Sequence, residues 1–301
     1  MRDEDSRIEP ASAEAGAEAH SKGSASGPTL YLVGTPIGNL EDITLRALRI
    51  LKEVDVIACE DTRQTQKLLN HFAIATRATS YHEHNEAEKA AELVKRMRAG
   101  ASVAVVSDAG MPGVSDPGYR LVTLAIEHGI PVVPVPGASA FLSALVASGL
   151  PTDHFEFRGF LPAKRGERRA ELEKIKGLAQ TEIFYEAPHR IVETLTDIVE
   201  VLGERRPVVV AREVTKLHEE FLRGGAADVL KSLESRESVK GEITLLIGKG
   251  DHEAPVRMSV KERVTQIMLE ENIDEKAALK KVAKERGVSK SEAYREWQRG
   301  K

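Results

Sequence analysis

The sequence predicts an α/β protein: two α/β domains followed by a small helical extension resembling a helix-turn-helix. Three observations predict it. From Thr29, short apolar runs alternate with amphipathic helix-length segments, the pattern of a mostly parallel sheet covered on both faces. After Pro151, two strand-like runs follow one another with no helix between them, which calls for a second, mixed sheet. Beyond Gly250 the chain offers only short helical segments separated by turn residues. The expected divisions are a disordered tail over 1–28, α/β domains over 29–150 and 151–250, and a helical domain over 256–301.

The first 28 residues are rich in Ala, Ser, Gly and Glu and have almost nothing to bury. "TLYLVG" then reads as a strand, and "EDITLRALRILKEV" as a helix with Ile43, Ala47, Ile50, Leu51 and Val54 on one face. "DVIAC" is the next strand. "NEAEKAAELVKRMRAG" reads as a helix with Asn85 as N-cap, Glu88 three residues on, and Gly100 as its stop. "ASVAVV" and "IPVVPV" are strands; "YRLVTLAIEHG" and "ASAFLSALVASG" are helices. In the second domain, strands are expected at 154–158, 181–185, 207–212, 218–223 and 242–247, and helices at 165–176, 189–201 and 226–235. The tail reads as three helices. Asp274 caps the second, Gly287 ends it, and Ser289 with Glu292 forms a capping box for the third. A staple of Leu279, Val282 and Tyr294 is expected to hold them together.

At 301 residues and 41% hydrophobic, the chain can bury sizeable cores. Its net charge of −4 gives no global attraction to nucleic acid, so such contact requires a local basic patch. One is present: from Val256 onward there are 12 Lys/Arg against 8 Asp/Glu, leaving about −8 on the remainder. The lone Cys59 excludes an internal disulfide framework and suits a reducing cytoplasm. No apolar run approaches membrane-spanning length, so a cytoplasmic protein without membrane association is expected.

The loops carry the chemistry. "SDAGMPGVSDPG" at 107–118 leaves the carboxyl end of a strand, where open α/β sheets bind ligands. Glycine lets backbone approach a ligand closely, and proline fixes the path without a competing donor. "VGTPIGN" at 33–39 and "VPGAS" at 135–139 follow two further strands, so three Gly/Pro turns should converge on one rim. None is a phosphate cradle: the Walker pattern is absent and Gly34 and Gly38 are wrongly spaced for G-x-G-x-x-G. A small ligand lying across the rim is the reading they share. "YHEHNE" at 81–86 is not H-E-x-x-H, so no metal is expected, and Ser107 and Ser115 lack a nucleophile elbow. "EAPHR" at 186–190 sits at another strand end, where Pro188 and Glu186 suit a helix N-terminus.

Taken in order, "LVGTPIGNLEDITLRALRILKEVDVIACEDTRQT", "HEHN", "SDAGMPGVSDPG", "VPGASA", "GFLP", "EAPHR" and "KGEITLLI" resemble the tetrapyrrole-methylase-like, class III S-adenosylmethionine methyltransferases, in the branch acting on ribosomal RNA. The resemblance runs from about Thr29 to Gly250, and the tail is similar to a helix-turn-helix extension carried by some members. It implies a methyl donor, S-adenosylmethionine, held in a cleft between two α/β domains, with no metal, and a homodimer. It also implies 2′-O-methylation of a cytidine ribose in the decoding region of 16S rRNA within the small ribosomal subunit. The tetrapyrrole branch has a G-x-G-x-G-D loop and a G-D-P turn where this chain reads Gly34-Thr35-Pro36-Ile37-Gly38-Asn39 and Ser107-Asp108-Ala109-Gly110, which disfavours a porphyrin substrate.

By position in that pattern, Pro36, Asp108, Gly110, Met111, Val114, Ser139, Ala140, Tyr185 and Glu186 are expected to contact the donor. Asp108 is suited to accept hydrogen bonds from its amino or hydroxyl groups. The acceptor is a poor nucleophile that benefits from a base, and Glu60, Asp61, His84, Glu213 and Lys216 remain open as candidates. Asn39, Arg63, His84, Arg190 and Lys216 are the expected substrate contacts, since Arg grips phosphate bidentately. Two other readings stay in view: a small-molecule methyltransferase acting on a tetrapyrrole, and a helix-turn-helix regulator whose α/β part senses a ligand.

Overall fold

The computed structural model describes residues 27–114, 118–250, 260–271, 273–286 and 289–299. The expected disordered tail, Ser115 and Gly287 therefore lie outside the described residues, apart from Gly27 and Pro28. The chain divides into two compact units. The first ends at Ser143 and takes in Glu213–Glu219; the second comprises Ala144–Arg212 and resumes at Glu220.

In the first unit, apolar runs build strands β1 (Leu30–Val33), β2 (Val56–Cys59), β3 (Ala78–Ser80), β4 (Val103–Val106) and β5 (Val132–Val135). All pair in parallel in the order β3-β2-β4-β1-β5. Helices α1 (Leu45–Glu53), α2 (Thr62–His71), α3 (Glu86–Arg98), α4 (Tyr119–Glu127) and α5 (Ala140–Ser148) follow the five strands in turn, and the boundary of the unit falls within α5. Alternate strand residues face opposite ways, so the sheet has two cores. Val33, Ile57 and Val106 pack with Ala47, Ile50 and Leu51 of α1 and Leu69 of α2. Leu30, Ala58 and Val105 pack with Leu93 and Met97 of α3 and Leu121 of α4. Chain leaving β2 runs to one edge of the sheet and chain leaving β4 to the other. The carboxyl ends of these adjacent strands therefore form a topological switch point.

The sequence reading missed α2 and β3. The buried face of α2 consists of Thr65 and Leu69 alone, too thin a stripe to register as periodic. Its start is nevertheless capped, with the Asp61 carboxylate accepting the Arg63 amide at 2.8 Å. The first helix begins at Leu45, where Thr44 caps it through the Ala47 amide, and Leu40–Asp42 form a separate 3-10 turn. Asn85 stands at the N-cap of α3 but its side chain does not cap it: the side-chain Oδ1 accepts the His82 amide at 2.9 Å, which closes the preceding turn instead.

The second unit has strands β6 (Phe155–Phe160), β7 (Thr181–Glu186), β8 (Pro207–Arg212), β9 (Glu220–Gly225) and β10 (Ile243–Ile247), in the order β6-β7-β10-β8-β9. Only β6 and β7 run parallel, so the sheet is mixed as expected. Helices α6 (Arg165–Ile175), α7 (Ile191–Leu202) and α8 (Ala226–Glu234) bury Leu172, Leu195, Ile198 and Val229 against Phe184, Val210 and Leu245. Between α6 and α7, the fully buried Arg168 meets the equally buried Asp197 at 2.7 Å.

The tail helices α9 (Val260–Glu271), α10 (Glu275–Arg286) and α11 (Lys290–Arg299) share a core of Val264, Ile267, Val282, Ala293 and Trp297. Asp274 accepts the Ala277 amide at 2.7 Å, and the Ser289–Glu292 capping box closes in both directions. Tyr294 does not join the staple expected of it. It is exposed, and Trp297, one turn nearer the chain end on the apolar face, fills that place.

Candidate functional site

The carboxyl edge of the first sheet gathers the loops that the sequence singles out. Because β1 lies between β4 and β5, the turns leaving these strands are neighbours. Thr35 and Gly110 join two of them as a two-residue antiparallel bridge, exchanging amide bonds of 2.9 and 3.1 Å. The Thr35 hydroxyl also donates to the Ser107 carbonyl at 3.2 Å, and the Ser107 hydroxyl donates to the Gly110 carbonyl at 3.2 Å. The third turn closes on the first through glycine. A Cβ on Gly34 would lie 2.7 Å from both the Gly137 Cα and the Met111 sulfur. Gly110, at φ 86°, occupies a conformation that L side chains rarely adopt. Pro36, Ile37 and Pro112 are buried beneath, while Asp108, Gly113 and Val114 are exposed. The result is a rim of backbone and small side chains.

A carboxylate cluster borders this rim at the switch point. Asp108 reaches across from the β4 loop, its Oδ1 accepting the Asp61 amide at 3.3 Å. Partial burial, then the like charges of Asp108 and Glu83, push the Glu60 carboxyl above its ordinary range. Asp61 moves the other way: hydrogen bonds from the Arg63 side chain and amide hold it below the usual carboxylate range. Arg63 itself is 88% exposed. His84 is also exposed and sets its ring edge against His82, with centroids 5.9 Å apart. This side of the rim attracts a cation. No group of three or more His, Cys, Asp and Glu residues suited to a metal occurs among the described residues.

The segment Glu213–Glu219 returns to the same unit and brings a lysine, Lys216, with it. Lys216 lays its aliphatic stem over Gly38, where a Cβ would fall 2.5 Å from the lysine Cε. Its ammonium donates to Glu213 Oε1 at 2.9 Å, and both side chains are about one-fifth exposed. Glu213 and Thr215 have φ of 54° and 71°, left-handed values that are unusual for glutamate and strained for a β-branched threonine. Among the described residues, the buried Thr215 hydroxyl has no hydrogen-bond partner.

The first unit thus brings together Pro36, Asn39, Glu60, Asp61, Asp108, Gly110, Met111, Val114, Ser139 and Ala140 on the loops along one sheet edge, with Glu213 and Lys216 on the returning segment. Tyr185, Glu186 and Arg190 belong to the second unit. There the Glu186 carboxylate is spent internally, accepting from the Ala187 amide at 2.8 Å, the Arg190 Nε at 3.0 Å and the Thr194 hydroxyl at 2.7 Å. It fastens the "EAPHR" turn to α7, and Arg190 is correspondingly occupied. Pro188 precedes the helix instead of opening its first turn. Tyr185 keeps a half-buried ring edge-on to Phe157 and Phe160, at 5.0 and 5.6 Å. Sequence reasoning passed over Thr35 and Gly137, whose signals were a hydroxyl beside a Gly/Pro turn and a glycine facing another glycine.

A parallel sheet with a side-chain-poor rim and a carboxylate at its switch point is the arrangement in which α/β enzymes bind small molecules at their strand ends. Comparison with known proteins gives that class a family. Residues 29–230 match the model of the "Tetrapyrrole (Corrin/Porphyrin) Methylases", and the chain belongs to that family. It is 50% identical to the "Ribosomal RNA small subunit methyltransferase I" of Halalkalibacterium halodurans, over 88% of this chain and 93% of that protein. It is 52% identical to the protein of the same name from Vibrio cholerae, over 73% and 77%. The fold is shared with diphthine synthase (TM-score 0.59, 15% identity, 73% of this chain and 90% of that one). It is likewise shared with uroporphyrin-III C-methyltransferase from Thermus thermophilus complexed with S-adenosyl homocysteine (TM-score 0.51, 23% identity, 73% and 97%).

Proposed function

We propose that this protein transfers a methyl group from S-adenosylmethionine to the 2′-hydroxyl of a cytidine ribose in the decoding region of 16S rRNA, acting on the small ribosomal subunit. The observation that carries the donor half is the glycine contact between Gly34 and Gly137, which keeps side chains off a rim edged by the Asp108 carboxylate. The substrate half is supported by the name shared by relatives about half identical over most of their length.

Pro36, Asp108, Gly110, Met111, Val114, Ser139 and Ala140 are the residues that would hold the donor in the first unit. When bound, it supplies an electrophilic methyl on a positively charged sulfur. Gly34, Gly110 and Gly137 let backbone approach it, and Pro36 and Pro112 fix that backbone. Asp108 and the neighbouring carboxylates favour a cation, and a reaction in which positive charge is lost gains when water is excluded from the reacting groups. Within the second unit, Tyr185 lies near the end of β7. Glu186 and Arg190, bonded to each other, hold the turn that positions it.

The tail supplies the RNA contact in this reading. Lys276, Lys280 and Lys284 are exposed at i, i+4 and i+8 on one face of α10, with no acidic residue three or four positions away along that face. Such a row suits a run of phosphates. The protein acts as a homodimer in the cytoplasm, where its substrate is assembled. Among the described residues, no helix is long and apolar enough to cross a membrane.

The test is to offer labelled donor to small subunits that lack the modification and, separately, to reduced uroporphyrin-type tetrapyrroles. Label in the rRNA is expected. Label on the tetrapyrrole alone would replace this reading with a small-molecule methyltransferase.

A further inference from the structure

A ribose hydroxyl is a poor nucleophile, and its methylation must dispose of a proton. The structure narrows where that proton goes. Asp61 is committed to capping α2 and to Arg63. Glu60 shares its surroundings with Asp108 and Glu83, and a cluster of like charges repels a phosphate-bearing acceptor while attracting a sulfonium donor. His84 lies exposed beyond that cluster. Glu213 and Lys216 differ from all of these. They are half-buried and bonded to each other, and Gly38 on the β1 loop fixes the lysine stem. Only three non-glycine residues among those described have positive φ, and two of them, Glu213 and Thr215, are here. Strain of this kind persists where surrounding structure enforces it, and it concentrates at working sites. The orphaned Thr215 hydroxyl adds a buried polar atom that the protein alone does not satisfy.

We propose that Glu213 and Lys216 form the acceptor-handling pair of the reaction, an inference that rests on the ribose-methylating reading above. Lys216 donates a hydrogen bond to the ribose oxygen and steadies the negative charge that develops there. Glu213 takes the hydroxyl proton. As the oxygen lone pair forms the new bond to the methyl carbon, the carbon–sulfur bond breaks and its electrons remain on sulfur, which becomes a neutral thioether. The proton held by Glu213 then passes to water, so one proton is released per methyl transferred.

The experiment compares wild type with Glu213→Gln, Glu213→Asp and Lys216→Met in single-turnover methylation of small subunits across pH, with donor affinity by calorimetry and melting temperature alongside. Glu213→Gln should slow methyl transfer by about 10²–10⁴-fold. Its donor affinity and melting should stay close to wild type, and its rate should climb with pH towards the alkaline limit as hydroxide replaces the missing base. Glu213→Asp should recover part of the rate, and Lys216→Met should lower kcat far more than donor affinity. A Glu213→Gln enzyme that transfers methyl at the wild-type rate, or that loses rate only in proportion to lost binding or folding, would overturn the proposal. Wild type that labels no rRNA would instead overturn the functional reading, and the pair's role with it.

Discussion

Gly34 and Gly137 pass so closely that a Cβ built on either would lie 2.7 Å from the Cα of the other. The obstacle is backbone on both sides, so neither loop can yield by turning a side chain. Gly137→Ala should therefore cost about 1–3 kcal/mol of stability, as overpacking does, and splay the turns after β1 and β5. Thermal melting should show the first effect. Calorimetry with S-adenosylmethionine should show a loss of at least roughly tenfold in affinity, because a misplaced rim costs more than the bulk of one methyl group. Wild-type donor affinity in Gly137→Ala would mean that this contact does not shape the donor site.

Asp108 should matter in two ways. Its Oδ1 ties the β4 loop to the Asp61 amide, and its exposed carboxylate remains available to a ligand. Asp108→Ala should weaken donor binding by about 1.5–3 kcal/mol, or roughly ten- to hundredfold. Asp108→Asn should keep the bond to Asp61 and still lose most of that affinity, since the charge is what attracts the donor. Equal affinities for wild type and Asp108→Asn would show that the carboxylate acts only as a loop brace.

Acid should act on the second unit through Glu220. Its carboxylate accepts from Arg236 at 2.6 and 2.8 Å and from Arg212 at 3.0 Å. These hydrogen bonds and charges pull its pKa down to about 2. A carboxyl depressed in the folded state contributes its full stability above its unfolded value, near 4.5, and loses it as pH falls towards 2. Glu220→Gln should flatten this part of the acid-unfolding curve and cost of order 1–3 kcal/mol at neutral pH. An unchanged slope between pH 4.5 and 2 would remove Glu220 from the acid response.

The tail should matter for RNA and not for the donor. Replacing Lys276, Lys280 and Lys284 together with Ala leaves the core of Val282 and Ala283 untouched. Affinity for small subunits should fall, and the slope of log K against log salt should become shallower by about 2, as three phosphate contacts are lost. Unchanged slope and affinity would make the three helices a structural element only.

Much of the fold was legible because burial imposes a pattern. The first-unit strands "LYLV", "VIAC" and "VAVV" can hardly be read as anything but buried strands, and in a parallel sheet their following loops must share an edge. That geometry groups the loops of Pro36, Asp108 and Gly110 along one edge. Helix α2 escaped because its apolar contribution is almost nil, and β3 because three half-buried residues carry no period. The pairing of Glu186 with Arg190 was not legible, since a short motif does not reveal that two opposite charges four residues apart will satisfy each other. The left-handed turn at Glu213 and Thr215 was equally hidden, because neither residue type signals positive φ.

The most direct measurement of the central claim is where the methyl group ends up. Small subunits lacking the modification are incubated with the protein and isotopically labelled S-adenosylmethionine, and the rRNA is digested to nucleosides for mass spectrometry. The label is expected in 2′-O-methylcytidine from a decoding-region fragment, with Asp108→Ala strongly reducing it. Label on a base, label in the large subunit, or no label in RNA while the protein still binds the donor would contradict the claim.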